Sequence, residues 1–219
     1  MNSDLQEIKM LSSKITIRPA TIADLDALVD LHLRSFSPKD HLAVKLGTGY
    51  IRSVYHWFIT SQETFTLVAE HENKIVGLTT VCDRFYNKPM LGNTLSQAMA
   101  GILLHPWLIL DAEILERLYT FFLKRKRAEK TVRNKEPLVS QLAFIAVDNS
   151  MRGKGLGVQL LKQAKNESHK RGGAKMLAGV YENNLSSIKA FEKAGFHILP
   201  NSVTRKLIYV EADLEGTDD

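Results

Sequence analysis

Residues 151–158 read MRGKGLGV, with glycine at 153, 155 and 157 and a cation at 152 and 154. Glycines at alternate positions clear side chains from the backbone, so that its N–H groups can approach a bulky anion. The apolar run LVSQLAFIAV (138–147) precedes this stretch, and the helix-patterned GLGVQLLKQAKNESHKRG (155–172) follows it. The glycines therefore stand where a strand passes into a helix. There the first N–H groups lack intrahelical acceptors, and the helix dipole adds partial positive charge. Arg152 and Lys154 add formal charge at the rim. The ligand that suits this chemistry is a pyrophosphate.

Spacing separates three phosphate-binding loops. A Walker A loop needs G-x-x-x-x-G-K-[ST], but here Gly155 follows Lys154. A dinucleotide fingerprint needs G-x-G-x-x-G close to the strand end. Here DNSMR intervenes, and the glycines run G-x-G-x-G. The acyl-CoA pattern [RQ]-x-x-G-x-[GA] is met by Arg152, Gly155 and Gly157. A second segment, GVYENNLSSIKAFEKAGF (179–196), follows in order after IAVDNSMRGKGLGVQLLKQAKNES (145–168). Together they resemble the two signature segments of the GCN5-related N-acetyltransferase (GNAT) family, densely over 139–199 and more loosely over 14–84.

The resemblance implies a mixed α/β fold. Its central twisted sheet is mostly antiparallel, with splayed parallel middle strands, flanking helices and, in this chain, a helical insertion. It implies acetyl-CoA as cosubstrate, lying between LAFIAV and MLAGVY. The pantetheine arm is assigned to the backbone of Ile145, Ala146 and Val147. The pyrophosphate is assigned to N–H groups of Arg152, Gly153, Lys154, Gly155, Leu156, Gly157 and Val158. Asn183 matches an asparagine that contacts the cofactor arm, with Ser186 beside it. The implied reaction is direct attack of a neutral amine on the thioester, with a main-chain N–H at Ile145 or Val147 polarising the carbonyl. A base must take the amine proton, and an acid can protonate the leaving thiolate.

The chain departs from the family pattern at both proton-transfer positions. The tyrosine often found in the second segment is Phe191 here, and residues 141–144 (QLAF) carry no carboxylate. A thiolate with a free pKa near 8.5 needs little acid help, so catalysis survives these losses, but the base must come from elsewhere. The candidates are Asp83, at the end of a strand, then His105, in the insertion. Tyr181 and Tyr86 are spare hydroxyls that could act as the acid. Each also has a plain structural reading: Asp83 bonding nearby backbone, His105 capping a turn before Pro106, Tyr181 packed beside Val180. No metal-ligand cluster is expected.

The elements that must hold these residues follow from periodicity. KITIRPA reads as a strand ending at Pro19. TIADLDALVDLHLRSF reads as a helix with a Thr21/Asp24 capping box. DHLAVKLGTGYIRSVYHWFITSQ is helical with a break around Gly47 and Gly49. TFTLVAE and KIVGLTTVCDRF flank the turn HENK as a hairpin. After an insertion at about 87–137 come strand, loop, helix, strand, helix and a closing hairpin. Residues 14–210 form one acyltransferase domain, with 1–13 an N-terminal arm and 211–219 a disordered tail.

The insertion joins the apolar AMAGILLHPWLIL to the basic LKRKRAEKTVRNK. Three readings compete: a packed helix with a solvated basic end, a cap for an anionic acceptor such as a nucleotide-linked sugar, and a membrane-surface helix, the least favoured. A length of 219 residues and a net charge of +5 suit a globular chain with anionic partners. No aromatic interleaving of the basic run points to nucleic acid. The single Cys82 rules out an internal disulfide, and a reducing cytoplasmic location is expected.

The expected function is acetyl-CoA-dependent N-acetylation of a small-molecule primary amine, such as an amino sugar or nucleotide-linked sugar. The alternatives are a protein or peptide N-terminal or lysine acceptor, and a non-catalytic acyl-CoA-binding module. A homodimer is left open.

Overall fold

The computed structural model describes residues 15–38, 41–84, 87–110, 138–200 and 207–214. The N-terminal arm, Tyr86, the basic run near 124–135 and the last five residues of the tail lie outside the described residues. Seven strands form one sheet: β1 (Ile15–Pro19), β2 (Thr64–His71), β3 (Lys74–Cys82), β4 (Leu138–Val147), β5 (Gly173–Tyr181), β6 (His197–Ile198) and β7 (Leu207–Asp213). Their order across the sheet is β1-β2-β3-β4-β5-β7-β6. The β4–β5 pair is parallel and every other pair is antiparallel.

One face is covered by α1 (Leu25–Ser35), the short α2 (Leu42–Lys45) and α3 (Thr48–Thr60). The helix α4 (Asn87–Leu104) packs outside α3. The other face carries α5 (Leu156–Lys170) and α6 (Leu185–Lys193). Two cores result. Leu28, Leu31, Ile51, Tyr55 and Phe58 pack on Val68, Leu78 and Cys82 on the first face. Leu161 and Ala164 pack with Val81, Leu142, Met176 and Ala178 on the second.

Local chemistry explains the element ends. Glu72 and Asn73 have φ of 51° and 62°, as the two central residues of a tight hairpin turn matched to strand twist require. Gly47, at φ 89°, separates α2 from α3, whereas Gly49 continues inside α3. The Asp24 carboxylate accepts from Thr21 N at 2.7 Å and from the Arg18 guanidinium at 2.8 Å, fastening the start of α1 to β1.

In the insertion α4 runs from Asn87 to Leu104, and Pro106 opens a five-residue 3-10 turn, Pro106–Leu110. The final strand continues to Asp213, with Leu214 fully buried, so the folded domain passes the boundary at 210. Ala212 and Leu214 alternate inward with Val210, and that burial orders the segment.

Phe58 is fully buried and meets the ring of Phe144 on β4, with centroids 5.8 Å apart. Phe58→Ala is expected to cost about 3–5 kcal/mol, read as a lower urea midpoint with an unchanged m-value.

Candidate active site

A bulge in β4 decides the shape of the site. Thr80 of β3 pairs with Phe144 and Val81 pairs with Leu142, so Ala143 is the extra residue without a partner on β3. A bulge bends its strand and increases the local twist. On the other side of β4, parallel pairing with β5 stops at Leu142↔Ala178. Beyond that point β4 stays with β3 through Val147, while Gly179, Val180 and Tyr181 of β5 stay with β7. Ile145, Ala146 and Val147 thus line one side of a gap, and residues 179–181 line the other.

The loop at the mouth of this gap is pinned at both ends and bare in the middle. Met151 and Leu156 are buried. Gly153 (φ 76°) and Gly155 (φ 82°) adopt left-handed backbone, and a Cβ on either would meet nothing within 4 Å. Gly157, inside α5, also has room beside it, with Val147 as its nearest neighbour at 3.8 Å. The N-cap of α5 is Gly155, which has no side chain to cap the helix. Main-chain N–H groups of residues 153–158 meet no acceptor among the described residues. Open space, unpaired donors and the cations of Arg152 and Lys154 fit a diphosphate.

The start of the loop is fixed electrostatically. Asp148 accepts from Ser150 N at 3.0 Å, from Ser150 Oγ at 2.7 Å and from Arg34 of α1 at 2.5 Å. The Ser150 bonds come first, and Arg34 assists, in holding this carboxyl below its usual range. Arg152 Nε donates to Val147 O at 3.2 Å, so the guanidinium rests at the end of β4.

The second segment divides its two asparagines between different tasks. Asn184 caps α6, accepting from Ser187 N at 3.1 Å and from Ser186 Oγ at 2.9 Å. Asn183 is exposed in the turn after β5. Ser186 therefore serves the cap in this structure, and the Asn183 side chain is left exposed in the turn. Phe191 is buried edge-to-face against Phe196, so its position belongs to the core and not to the gap.

Of the candidate proton carriers, Tyr181 ends β5 at the gap, 37% exposed, on the sheet face opposite buried Val180. Tyr209 of β7, 38% exposed, shares that face beside Gly179. Asp83 lies beyond Cys82, which pairs with Gln141, near the start of β4 and away from the glycine loop. Its carboxylate is taken by Arg171, at 3.0 Å from Nε and 2.8 Å from Nη2. The same guanidinium donates to Gln62 O at 2.6 Å and lies over the ring of Phe65. Asp83 thus anchors the C-terminal end of α5 to the β2–β3 hairpin. His105 follows α4, which packs on α3, and its ring meets Trp107. Its Nδ1 is buried without a partner among the described residues, and none of its described contacts is with β4 or β5.

The structure also assembles residues that the sequence reading did not single out. Phe144, re-aimed by the bulge, is ringed by His32 (5.3 Å between centroids), His41 (5.4 Å), Tyr55 (6.2 Å) and Phe36 (6.3 Å). His32 Nδ1 lies 2.8 Å from Tyr55 Oη, and His32 Nε2 lies 3.3 Å from His41 Nδ1. The available signal was His32 itself, a polar residue continuing the buried stripe Leu25, Leu28, Val29 of α1. Burial foremost, then the neighbouring His41, brings the His32 imidazole down from 6.5 to about 3. Tyr55 is pushed up by burial.

Comparison with known proteins follows this geometry. A family model described as acetyltransferase (GNAT) family matches residues 25–196. No curated protein matches the sequence significantly. A Salmonella typhimurium structure, titled as an acetyltransferase with its cofactor acetyl-CoA, is 17% identical; 94% of this chain and 97% of that one are covered, with a TM-score of 0.56. A Thermoplasma acidophilum N-acetyltransferase in complex with coenzyme A is 13% identical, with 91% and 98% covered and a TM-score of 0.58. A Brucella melitensis ribosomal-protein-alanine N-acetyltransferase is 20% identical, with 90% and 99% covered and a TM-score of 0.56. At these identities the likeness is one of fold.

Two outcomes are expected. Asp83→Asn should lower stability by about 1–2 kcal/mol, between the values for exposed and buried ion pairs, and change turnover by less than twofold. Chemical denaturation and a thiol-release assay read the two effects. The unfolded chain takes up a proton at His32 near pH 6.5 that the folded chain refuses until about pH 3. Stability should therefore fall by roughly 1 kcal/mol per pH unit on acidifying through that window. Urea midpoints at pH 7, 5.5 and 4.5 measure the slope, which His32→Gln should flatten.

Proposed function

The chain belongs to the acetyltransferase (GNAT) family, and on that premise we propose that it moves an acetyl group from acetyl-CoA to the primary amine of a small molecule, with amino sugars and nucleotide-linked amino sugars the first acceptor class. The observation that carries the reading is the alignment of two features on one strand end. The gap opened at Ala143 runs to a glycine loop whose N–H groups are unpaired among the described residues.

Acetyl-CoA supplies the activated thioester when bound. Residues 153–158 hold its diphosphate through main-chain N–H groups, assisted by the α5 dipole and by Arg152 and Lys154. Ile145, Ala146 and Val147 offer the backbone on the side that β5 has left, the edge on which an extended chain pairs as an added strand. A main-chain N–H at Ile145 or Val147 polarises the carbonyl, and Asn183 borders the arm. Tyr181, exposed at the end of β5, is the hydroxyl placed to protonate the leaving sulfur. The acceptor enters over β5 and β7, where Tyr181 and Tyr209 are uncovered on the sheet face opposite α5 and α6. Holding the reactants together contributes a large share of the rate.

Among the described residues no helix is long and apolar enough to cross a membrane. The one cysteine, Cys82, is buried as a free thiol, which suits a reducing compartment such as the cytoplasm.

Acetyl-CoA at about 100 times its dissociation constant should stabilise the fold by about 3 kcal/mol, raising the melting temperature by roughly 5–10 °C. Gly155→Glu, which strains a residue at φ 82° and sets a carboxylate against the diphosphate, should abolish the shift. An unchanged melting curve for the native chain would refute the reading. Free-thiol release across amino sugars, nucleotide-linked amino sugars, polyamines, amino acids and short peptides then identifies the acceptor. Preference for peptides would replace the small-molecule assignment.

A further inference from the structure

The gap narrows to an apex, and the side chains around that apex limit what the thioester can carry. In the reading above, the diphosphate lies at residues 153–158 and the arm runs back along Val147, Ala146 and Ile145. The acyl group then reaches the point where β4 and β5 rejoin. That point is closed by their last parallel pair, Leu142↔Ala178. On the α5 side, Leu142, Ala178 and Val180 are buried in the second core with Leu161 and Ala164. The direction left to an acyl chain is the face of α1 and α3, and there β4 presents Ala143 and Phe144.

Phe144 is firmly held. Its ring meets those of His32, Phe36, His41, Tyr55 and Phe58, with centroids between 5.3 Å and 6.3 Å away. Thr80 of β3, its partner in the ladder, is fully buried beside it. Phe144 is nevertheless only half-buried. With β3 on one flank and five rings around it, its uncovered part faces the flank that β5 has left. A ring packed in this way has nowhere to retreat, because its neighbours already fill the space.

We propose that Phe144 sets the upper limit on acyl-chain length, admitting acetyl and turning away butyryl and longer chains. The inference rests on the acetyl-transfer reading and deepens it by naming the acyl donor that the gap accepts. In an open apolar channel each added methylene strengthens binding, since more apolar surface leaves water. Against a wall that does not move, the same methylene must displace a packed ring, and overpacking is unfavourable. A longer chain turned onto this face also occupies the side of the sheet from which the amine enters.

The test is calorimetric binding of coenzyme A, acetyl-CoA, butyryl-CoA and hexanoyl-CoA to the full-length chain, which requires no identified acceptor. The native protein should bind hexanoyl-CoA about 10-fold or more weakly than acetyl-CoA, with butyryl-CoA between them. Phe144→Ala should abolish or reverse that order while leaving affinity for coenzyme A unchanged. Phe144→Leu keeps more of the packing volume and serves if the alanine variant does not fold; it should bind butyryl-CoA as tightly as acetyl-CoA. Equal affinity of the native chain for acetyl-CoA and hexanoyl-CoA would overturn the proposal. So would native discrimination in either variant that still binds coenzyme A. The native series decides whether or not the variants fold. If coenzyme A and its thioesters give no heat with the native chain, the acetyl-transfer reading itself falls, and this inference with it.

Discussion

The unpaired residue Ala143 is the constraint on which the site depends. A strand in the middle of a sheet normally bonds along both edges. Here β4 bonds to β3 along most of its length, but to β5 only as far as Leu142. The extra residue bends β4 away while β5 remains with β7, so the sheet acquires an opening without losing either outer ladder. The same irregularity changes which side chains face which core. Leu142 packs toward α5, Ala143 and Phe144 both pack toward α1 and α3, and Ile145 returns to the α5 side. One bulge therefore makes the space and aims the aromatic residue beside it.

A second division of labour appears in the loop that follows. Its ends are anchored by apolar burial of Met151 and Leu156 and by the Asp148 hydrogen bonds, and its middle is left to backbone donors. Anchoring matters because free N–H groups bind an anion well only if they are already pointed at it; ordering them on binding would consume part of the interaction. Arg34 links this loop to α1, the helix that carries His32. The glycine loop and His32 are thus mechanically joined through one helix.

Ion pairs in this chain serve architecture as well as chemistry. Arg171 gathers Asp83, the carbonyl of Gln62 and the ring of Phe65 at one corner, where α5 ends. That carboxylate holds the end of α5 against the sheet. His32 is the opposite case: a residue in the apolar stripe of an amphipathic helix, ordinarily read as core, whose two nitrogens are each within reach of another titratable group.

The sequence by itself determined whatever rests on local pattern. The alternating glycines, the strand before them and the helix after them fix an open loop at a helix start, because left-handed backbone and open helix N-termini are properties of a few consecutive residues. Alternation and capping likewise placed most strands and helices, among them the Thr21/Asp24 start, the HENK turn and the break at Gly47. Tertiary structure alone decided the bulge at Ala143, since an unpaired residue exists only relative to the strand beside it, and LAFIAV reads as an unbroken apolar run. It decided that Asp83 belongs to Arg171, 88 positions away, and that His32 and His41, on either side of a helix end, meet Tyr55 and Phe144. These are contacts between distant segments, set by how helices pack on a sheet, and no spacing within the chain encodes them.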